Sequence, residues 1–525
     1  MQGLHPSLSM PASDLIGEHW LPIPGSSLAS HQPADPGTTV WSGAPAVEHV
    51  DEAISAARAA APAWAGASFD ERADVLRRFQ KLCAQHVDRV SALIRDEVGK
   101  VAWDAMAEAQ LLAGKVDITL EGGAHAALSR VRDFDLALSP TRVGQCRFRP
   151  HGVLGVLGPF NFPMHLPNGH IVPALALGNT VVFKPSDKAP ACGQALAELF
   201  EQALRDAGAP TGVFNLVQGG VDVAKRLVHH DDLDGILFTG SWPVGRSIME
   251  ANLSRPGRIL ALEMGGNNAA IIMPDADLTQ AAVEAVRCAF ITTGQRCTCT
   301  RRLIVHTDVA DRVIRGVVEA ARALLVGDPR EQVFMGPLIS KGARKGVLEA
   351  QASLARHAGQ VLLPAGELLR PSASGVPGWY LSPGIMRVDR FVRHSPHDAA
   401  HVRSCGDDIE VFGPLLRISV AADLDDALEQ ANATSFGLAA SIFTNDQIAR
   451  ERFLREARAG CLNVNTGTAG ASGRLPFGGL GLSGNHRPAG AFSLDYCAYP
   501  VAAMVEAGSA APLPVGMSFD RAWIA

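Results

Sequence analysis

The sequence predicts an α/β fold built on parallel sheets. From residue 151 onward, short apolar runs of strand length alternate with stretches whose apolar residues recur at helical spacing. Turn residues close these runs, as at Gly158-Pro159 and Gly219-Gly220. Strands that alternate with helices need crossover connections, so the strands run parallel and ligands gather at their carboxyl ends.

The predicted elements follow in order along the chain. An Ala-rich region, residues 47–116, has helical spacing and predicts amphipathic helices that include 51–65 and 69–95. A first α/β unit has strands at 153–157, 180–183, 213–217 and 235–238 and helices at 191–207, 221–229 and 246–253. A second unit has strands at 269–273 and 302–306 and helices at 278–292 and 308–325. Irregular loops are predicted at 371–383 and 396–408, and an extended tail at 508–517.

Composition indicates a large globular protein and excludes several classes. The length of 525 residues suits roughly three domains of about 150 residues each, and a 47% hydrophobic content supplies their cores. The net charge of −6 comes from 53 acidic and 47 basic residues spread along the chain, so no nucleic-acid partner is expected. The nine cysteines lack metal-type spacing, which predicts a reducing compartment and no metal site. Residues 1–20 are unlike a secretory signal, and no segment offers about 18 consecutive apolar residues, so we expect a cytoplasmic protein without a membrane partner.

Two segments, residues 262–268 and 294–298, place a carboxylate and a thiol beside small residues that expose the backbone. Cys297 has polar neighbours, unlike an inert core cysteine, and is predicted to be a nucleophile for a carbonyl carbon. Glu263 follows an apolar run, as in the wall of a cleft, where burial would raise its pKa towards that of a useful base. The alternative for Glu263 is an ion-paired or helix-capping role, and for Cys299 we expect a packing role.

Asn161 is the third catalytic candidate. It lies between two aromatic residues and two prolines in the run Gly158-Pro159-Phe160-Asn161-Phe162-Pro163. A side-chain amide held so rigidly is suited to donate to a developing oxyanion together with a backbone N–H. In isolation, an asparagine in a turn would indicate little.

Residues 240–245 follow a predicted strand and precede a helix. Gly240 and Gly245 would let the backbone approach a diphosphate, with Ser241 at the turn, and the helix amino terminus offers free N–H groups. An ordinary strand-to-helix turn explains this hexapeptide equally well.

A second turn closes the strand predicted at 180–183, with the sequence Lys184-Pro185-Ser186-Asp187. Its cation and its carboxylate are suited to hold the hydroxyls of an adenosine ribose, and a carboxylate there repels a 2′-phosphate. The alternative is a solvated turn.

Seven segments in order resemble those of the NAD(P)-dependent aldehyde dehydrogenase superfamily, over about residues 40–503. They are residues 158–163, 183–186, 238–241, 262–266, 294–297, 410–414 and 476–479. The resemblance implies that Cys297 is the nucleophile, Glu263 the general base and Asn161 the oxyanion donor. It implies an aldehyde substrate and NAD, with NADP possible. The cofactor positions it implies are Pro159, Phe160, Lys184, Ser186, Asp187, Gly240, Ser241, Gly245, Glu410 and Phe412, the last two for the nicotinamide ribose and ring.

The resemblance also implies an aldehyde dehydrogenase-like domain organisation. A Rossmann-type parallel-sheet cofactor domain would comprise residues 12–131 and 151–262, and an α/β catalytic domain residues 263–484. A β-hairpin oligomerisation element would comprise 132–150 and 485–505, followed by a tail at 506–525. Residues 142–149 and 495–503 match strands that extend a sheet into a partner, so a homodimer or homotetramer is expected.

Further segments resemble one subfamily, which oxidises an anionic, amide-bearing semialdehyde in arginine catabolism; they are residues 165–170, 261–268, 295–299, 483–488 and 495–498. His165 is polar where enzymes for fatty aldehydes need apolar bulk, and His165, Arg474 or Arg487 would pair with a substrate carboxylate. A surface or interface position explains each arginine equally well.

Three alternatives stay open from the sequence. The chain could be a dehydrogenase for another semialdehyde or for a broad range of aldehydes, a cysteine hydrolase, or a homologue without catalysis. A hydrolase would use Cys297 but would not need two nucleotide-type turns. Glu263 favours a free acid product, because superfamily members that transfer the acyl group to coenzyme A typically lack this base.

Overall fold

The computed structural model describes residues 5–123, 126–357, 359–369, 371, 375, 377–393, 406–508 and 513–525. Within these residues, two seven-stranded sheets packed with helices form most of the protein, together with a three-stranded sheet and two small ribbons. This arrangement confirms the predicted α/β class.

The first half of the chain contains the strands of one large sheet and several strands of the smaller sheets. Its strands are β1 (Ser13–Ile16), β2 (His19–Pro22), β3 (Leu28–Gln32), β4 (Asp35–Gly43), β5 (Phe134–Ala137), β6 (Arg142–Pro150), β7 (Val153–Leu157), β8 (Thr180–Lys184), β9 (Phe214–Leu216), β10 (Gly235–Thr239) and β11 (Ile259–Glu263). Its helices are α1 (His49–Gly66), α2 (Phe69–Gln85), α3 (Val87–Val98), α4 (Ala102–Leu120), α5 (His165–Ala176), α6 (Pro190–Asp206), α7 (Val221–His229) and α8 (Trp242–Ala251). The sheet order is β11-β10-β7-β8-β9-β1-β2, and β7 to β11 are parallel.

The chain leaves β7 towards β8 on one side and later returns to β10 on the other side. Such a reversal of strand order opens a crevice at the carboxyl ends of the strands, where ligands bind in open α/β sheets. Alternate residues of β7 pack on opposite faces of the sheet: Leu154 and Val156 contact one core, whereas Val153 and Leu157 contact the other. The strand is therefore buried on both faces, which fixes the turn that carries Asn161.

The second half of the chain contains the strands of the other large sheet and three strands of the smaller sheets. Its strands are β12 (Asn268–Ile272), β13 (Thr300–His306), β14 (Gln360–Leu363), β15 (Gly384–Arg387), β16 (Leu415–Ala421), β17 (Ala439–Phe443), β18 (Cys461–Val464), β19 (Pro476–Phe477), β20 (Ala489–Gly490) and β21 (Ala498–Glu506). Its helices are α9 (Leu278–Phe290), α10 (Ala310–Arg322), α11 (Lys341–Arg356), α12 (Leu424–Asn432) and α13 (Gln447–Glu456). The order is β14-β15-β16-β13-β12-β17-β18, parallel except for β14.

Strands β21, β6 and β5 form a separate antiparallel sheet, with Ala498 opposite Pro150 and Glu506 opposite Arg142. The segments predicted at 142–149 and 495–503 therefore contribute to one sheet, although the second strand starts and ends three residues later. Apolar side chains of this sheet face solvent, among them Leu136, 57% exposed, and Met504, 75% exposed.

Two predicted helices end differently in the structure. The helix predicted at 69–95 is divided into α2 and α3 at His86, whose φ of −106° is not helical. The helix predicted at 278–292 ends at Phe290, because Thr292 and Thr293 adopt left-handed φ values of 53° and 55°. The loop predicted at 396–408 lies mostly outside the described residues, as do positions 372–374 and 376 of the loop at 371–383 and positions 509–512 of the tail. In the described ranges, no helix has both the length and the apolar character needed to cross a bilayer.

Candidate active site

Cys297 lies in a loop between α9 and β13 that leaves the helix through a strained turn. Thr292 and Thr293 are β-branched, and L-residues of that shape rarely adopt the left-handed region. A side-chain network holds the turn: Thr292 Oγ1 donates to Asp104 Oδ2 at 2.5 Å and accepts from Arg296 Nε at 2.7 Å. Arg296 also pairs with Asp104 at 2.5 Å. The residue before Cys297 is thereby tied to α4.

Side chains hold the successive carbonyl groups of the Cys297 loop. Asn268 Nδ2 donates to Cys297 O at 2.7 Å and to Cys299 O at 2.8 Å. Arg301 donates to Gly294 O at 2.6 Å and to Arg296 O at 2.9 Å. These bonds fix the path of the backbone on both sides of the thiol, because each one would have to break for the loop to shift.

Glu263 is the last residue of β11 and is only 5% exposed. A β-bridge between Glu263 and Gly484 holds its backbone. Its Oε2 atom has no hydrogen-bond partner, and burial raises the pKa of the carboxyl group well above its ordinary value. The side chain is thus a buried carboxyl with an uncommitted oxygen, as a general base requires.

One cavity of about 260 Å³ contains both groups. Its lining includes Glu263 and Cys297 together with α4, α5 and the segment around Ser472. Burial raises the pKa of the Cys297 thiol to about 12, and the carboxyl groups of Glu410 and Glu263 add to the effect. The resting nucleophile is therefore the thiol, and its activation needs a base within the cavity.

Asn161 follows β7 and lies next to the same loop. Its Nδ2 donates to Gln295 O at 2.9 Å, and the side chain is 5% exposed. A side-chain amide carries two N–H groups, so fixing one of them orients the other. The structure thus places Glu263 and Cys297 in one cavity and ties Asn161 to the backbone two residues before the thiol.

The turn after β10 fits a diphosphate. Ser241 is the N-cap of α8, yet its side chain makes no capping hydrogen bond, so the first N–H groups of the helix stay uncapped. A Cβ atom at Gly245 would lie 2.3 Å from Met264 Sδ, so glycine leaves room for the side chain that follows β11. Gly240 precedes the turn and lies directly beyond the end of β10.

The turn after β8 has one buried and one exposed charge. Lys184 is 6% exposed; its Nζ donates to Pro185 O at 2.6 Å, and burial lowers its pKa to about 8. Asp187 is exposed, and Ser186 Oγ lies 3.4 Å from its Oδ1. The two turns lie at the carboxyl ends of the two parallel strands that flank β7, as an adenosine diphosphate would require.

Glu410 reaches the boundary between the two large sheets. Its Oε1 accepts from Gly266 N at 3.0 Å, and a Cβ atom at Gly265 would lie 2.0 Å from Oε2, so the carboxylate occupies space that only glycine leaves. The ring of Phe412 packs edge-on against Phe160, with centroids 6.0 Å apart. Pro159, which precedes Phe160, belongs to the turn after β7.

Of the three residues predicted to bind the substrate, one lines the cavity and two do not. His165 lines the cavity, whereas Arg474 and Arg487 are exposed and do not belong to its described lining. Arg474 pairs with Glu121 on the surface. The structure therefore leaves the cavity without either arginine, and corrects the expectation that one of them reaches a substrate there.

Sequence reasoning missed Lys115, a buried cation that lines the cavity. It also missed Asp104, Asn268 and Arg301, which position the loop. No local signal marks Lys115, because the buried face of α4 also carries the charged residues Asp104 and Glu108.

Comparison with known proteins agrees with this geometry. The model of the aldehyde dehydrogenase family matches residues 20–500. N-succinylglutamate 5-semialdehyde dehydrogenase of Novosphingobium aromaticivorans is 41% identical over 497 residues, which cover 94% of this chain and 99% of that protein. N-succinylglutamate 5-semialdehyde dehydrogenase 2 of Caulobacter vibrioides is 42% identical over 492 residues, which cover 93% of this chain and 95% of that protein.

Solved structures agree as well. HpcC from Thermus thermophilus superposes with a TM-score of 0.87 at 29% identity, over 97% of this chain and 95% of that one. The 1-pyrroline-5-carboxylate dehydrogenase from Thermus, with bound NAD, superposes with a TM-score of 0.85 at 28% identity, over 96% of this chain and 93% of that one. The chain belongs to the aldehyde dehydrogenase family, and it is an NAD(P)-dependent enzyme that oxidises an aldehyde.

Proposed function

We propose that this enzyme oxidises N-succinylglutamate 5-semialdehyde to the carboxylic acid with NAD, as a step of arginine catabolism in the cytoplasm. The observation that carries the proposal is the single cavity lined by Cys297 and Glu263, beside which the Asn161 amide is fixed. The identity of the substrate is inferred from relatives that are named for it. The same cavity carries a buried ammonium group, which suits an anionic aldehyde better than an alkyl one.

Catalysis starts with loss of the Cys297 proton. Glu263 is the carboxyl group of the described cavity lining, and because burial raises its pKa it is a stronger base than an exposed glutamate. The thiolate adds to the aldehyde carbon, and the carbonyl oxygen becomes an oxyanion. The second N–H of Asn161 and a backbone N–H of the Cys297 loop stabilise that charge.

The adduct becomes a Cys297 thioester when its C–H bond breaks, and bound NAD supplies the hydride acceptor for this step. Glu263 releases the Cys297 proton to bulk water and then removes a proton from a second water molecule, and the resulting hydroxide attacks the thioester carbon. The thiolate leaves, and the product is the free acid. Glu263 thus acts as a base, and no acyl acceptor other than water is required.

The two turns at the carboxyl ends of β8 and β10 would hold NAD. The uncapped amino terminus of α8 would bind the diphosphate, next to Gly240 and Ser241. Lys184, Ser186 and Asp187 would hold the adenosine ribose, and the exposed Asp187 carboxylate would disfavour the 2′-phosphate of NADP. Glu410 and Phe412 would hold the nicotinamide ribose and ring, and Pro159 and Phe160 would support the ring from the turn after β7.

A panel of aldehydes assayed with each nicotinamide cofactor tests the proposal. We expect kcat/KM for N-succinylglutamate 5-semialdehyde with NAD to exceed that for pentanal, for succinic semialdehyde and for the same substrate with NADP by at least about tenfold. The absorbance of the reduced nicotinamide at its near-ultraviolet band measures the rate. A higher kcat/KM for pentanal than for the succinylated substrate would overturn the assignment.

The domain organisation supports a homo-oligomer. We assign the cofactor domain to residues 12–131 and 151–262, the catalytic domain to 263–484, and the oligomerisation element to 132–150 and 485–505. Among the described residues, β21 pairs with β6 alone, so its outer edge is free to pair with a second copy.

A further inference from the structure

Lys115 contributes a buried positive charge to the wall of the catalytic cavity. It lies on α4, is 5% exposed and belongs to the cavity lining. Its Nζ atom donates to Gly490 O at 2.8 Å and to Ser493 Oγ at 3.0 Å. A lysine ammonium has three N–H donors, so these two bonds leave one for a further acceptor.

Neither partner of Lys115 carries a charge, and in the described ranges no carboxylate forms an ion pair with it. A buried ammonium without a counter-ion costs free energy, and the usual solution is a paired acid. Here the described protein supplies carbonyl and hydroxyl oxygens only. The charge is thus available to a ligand.

The two other cations near this wall are neutralised within the protein. Lys100 pairs with Glu108 at 2.6 Å, and both side chains are fully buried. Arg296 pairs with Asp104 at 2.5 Å. Lys115 is therefore the cation of this wall that no described carboxylate neutralises, and although burial lowers its pKa to about 8 it is protonated at neutral pH.

His165 supplies a second uncommitted group on the same wall. It lines the cavity, and its Nδ1 atom is buried without a hydrogen-bond partner. Burial lowers the pKa of His165 to about 3, and the positive charge of Lys115 adds to that effect, so the ring is neutral. A neutral imidazole with its proton on Nδ1 is a hydrogen-bond donor, and a buried donor is costly until a ligand accepts from it.

We propose that Lys115 anchors a carboxylate of the aldehyde substrate, and that His165 donates a second hydrogen bond to the same group. The inference rests on the proposed function, since it names the residues that would select a carboxylate-bearing aldehyde. It replaces Arg474 and Arg487 as the cations that recognise the substrate. A charge-assisted bond to a side chain that is only 5% exposed is strong enough to set the preference between anionic and neutral aldehydes.

The experiment compares full-length wild type with Lys115→Met, Lys115→Arg and the control Lys81→Met, whose lysine is exposed on α2. Each protein is assayed with N-succinylglutamate 5-semialdehyde, its N-acetyl analogue and pentanal, at saturating NAD. The measured quantity is the ratio of kcat/KM for each carboxylate-bearing aldehyde to that for pentanal. This ratio cancels losses that affect all substrates alike.

We expect Lys115→Met to lower the ratio for the succinylated substrate about 100-fold, mainly through KM. Lys115→Arg should restore most of the ratio, and Lys81→Met should leave it at the wild-type value. A loss with both acylated substrates assigns the anchored group as the α-carboxylate, and a loss with the succinylated one alone assigns it as the succinyl carboxylate. Each result supports the anchor.

Two results would overturn the inference, and they differ from failure of the proposed function. If Lys115→Met slowed pentanal and the semialdehydes equally, Lys115 would only support the fold of the pocket. If the variant kept the wild-type ratio, the carboxylate would bind elsewhere. Failure of the proposed function would instead be visible in the wild type, as no preference for either acylated semialdehyde over pentanal.

Binding of the product gives a readout that does not depend on turnover. Titration calorimetry with N-succinylglutamate should show an affinity about 100-fold weaker for Lys115→Met than for wild type. His165→Phe should show a smaller loss, because it removes a neutral donor rather than a charge. Equal affinities of wild type and Lys115→Met for the product would count against the anchor.

Discussion

Asn268 and Cys297 are joined by a 2.7 Å hydrogen bond from the side-chain amide to the backbone carbonyl of the nucleophile. The same amide nitrogen donates to Cys299 O at 2.8 Å, and its oxygen accepts from Ala439 N at 2.9 Å. Asn268 begins β12, so one side chain connects an inner strand of the second sheet to the catalytic loop and to β17. The position of the thiol is set by the sheet through this contact.

Removal of the Asn268 donor should slow catalysis more than it weakens substrate binding. In Asn268→Asp the side chain keeps its size and its acceptor for Ala439 N, but it cannot donate to the two carbonyl oxygens. Two lost hydrogen bonds of about 1 kcal/mol each predict a fall in kcat of roughly 10- to 100-fold, with KM changed less than about threefold. Steady-state kinetics and the rate of Cys297 alkylation by iodoacetamide measure the effect.

Asn432 provides the matched control, because its amide donates to Glu456 O at 2.9 Å and accepts from Arg458 N at 2.8 Å in the same unit. Asn432→Asp should change kcat less than about twofold. Equal losses in the two variants would contradict a specific role of Asn268 in positioning the thiol.

Lys100 and Glu108 form a buried pair whose separation should destabilise the protein. Glu108 Oε1 accepts from Met164 N and His165 N, each at 3.1 Å, so the pair also supports the start of α5. Lys100→Met leaves the Glu108 carboxylate buried without a cation, and such losses cost about 3–5 kcal/mol. The midpoint of urea unfolding should fall clearly, and Lys100→Met combined with Glu108→Gln should recover most of it. A midpoint unchanged by Lys100→Met alone would contradict the expectation.

Much of the fold could be predicted because strand and helix periods are local properties of the sequence. The sequence predicts the strand at 153–157 and the helix at 221–229 to the residue, since the first is an apolar run closed by Gly158-Pro159 and the second has apolar residues at helical spacing. The helix predicted at 278–292 was too long, because Thr292 and Thr293 carry no glycine-like signal for left-handed backbone. Asp104 and Arg296 bond to Thr292 Oγ1, and Thr293 Oγ1 donates to Gly336 O; the local sequence does not reveal these partners.

The candidate site was predictable where a chemical group has an unusual neighbourhood, and not where its role depends on a distant partner. Glu263 and Cys297 could be singled out from their flanking residues. The placement of Arg474 could not, because its pairing with Glu121 joins residues 353 positions apart. Lys115 was missed for the same reason, since the lack of a carboxylate partner is a property of the folded cavity.

Neutralising Glu263 should trap the enzyme at the thioester. In Glu263→Gln the water that attacks the thioester has lost its base, so we expect kcat to fall by about 10²- to 10⁴-fold. Glu263→Gln also slows loss of the Cys297 proton, which then passes to bulk water, so a first turnover remains and its slow burst of reduced nicotinamide amounts to no more than one per subunit. Intact-mass measurement after mixing should find the acyl group bound to the protein. Cys297→Ala is the control and should show neither burst nor bound acyl group; a burst in that variant would contradict the mechanism.

The pH dependence of kcat should report the buried carboxyl of Glu263. Burial raises its pKa well above the ordinary 4.5, and the base must be deprotonated to act, so kcat falls as the pH drops through the raised value. We expect a limb of slope one on the acidic side of the profile, displaced to a higher pH than an exposed glutamate would give. Glu263→Gln should lose this limb, and an unchanged limb in that variant would assign it to another group.

The three-stranded sheet of β5, β6 and β21 should control oligomeric state. Leu136 and Met504 are 57% and 75% exposed, and exposed apolar side chains beside a free strand edge are typical of a surface covered by a second copy. Leu136→Lys combined with Met504→Lys should shift the sedimenting species towards the mass of one 55.3 kDa chain. Leu253, 82% exposed after α8, is the control, and Leu253→Lys should leave the assembly intact. If both variants sediment as the wild type does, the sheet does not form the interface, because two buried lysine charges would not be tolerated in an apolar contact.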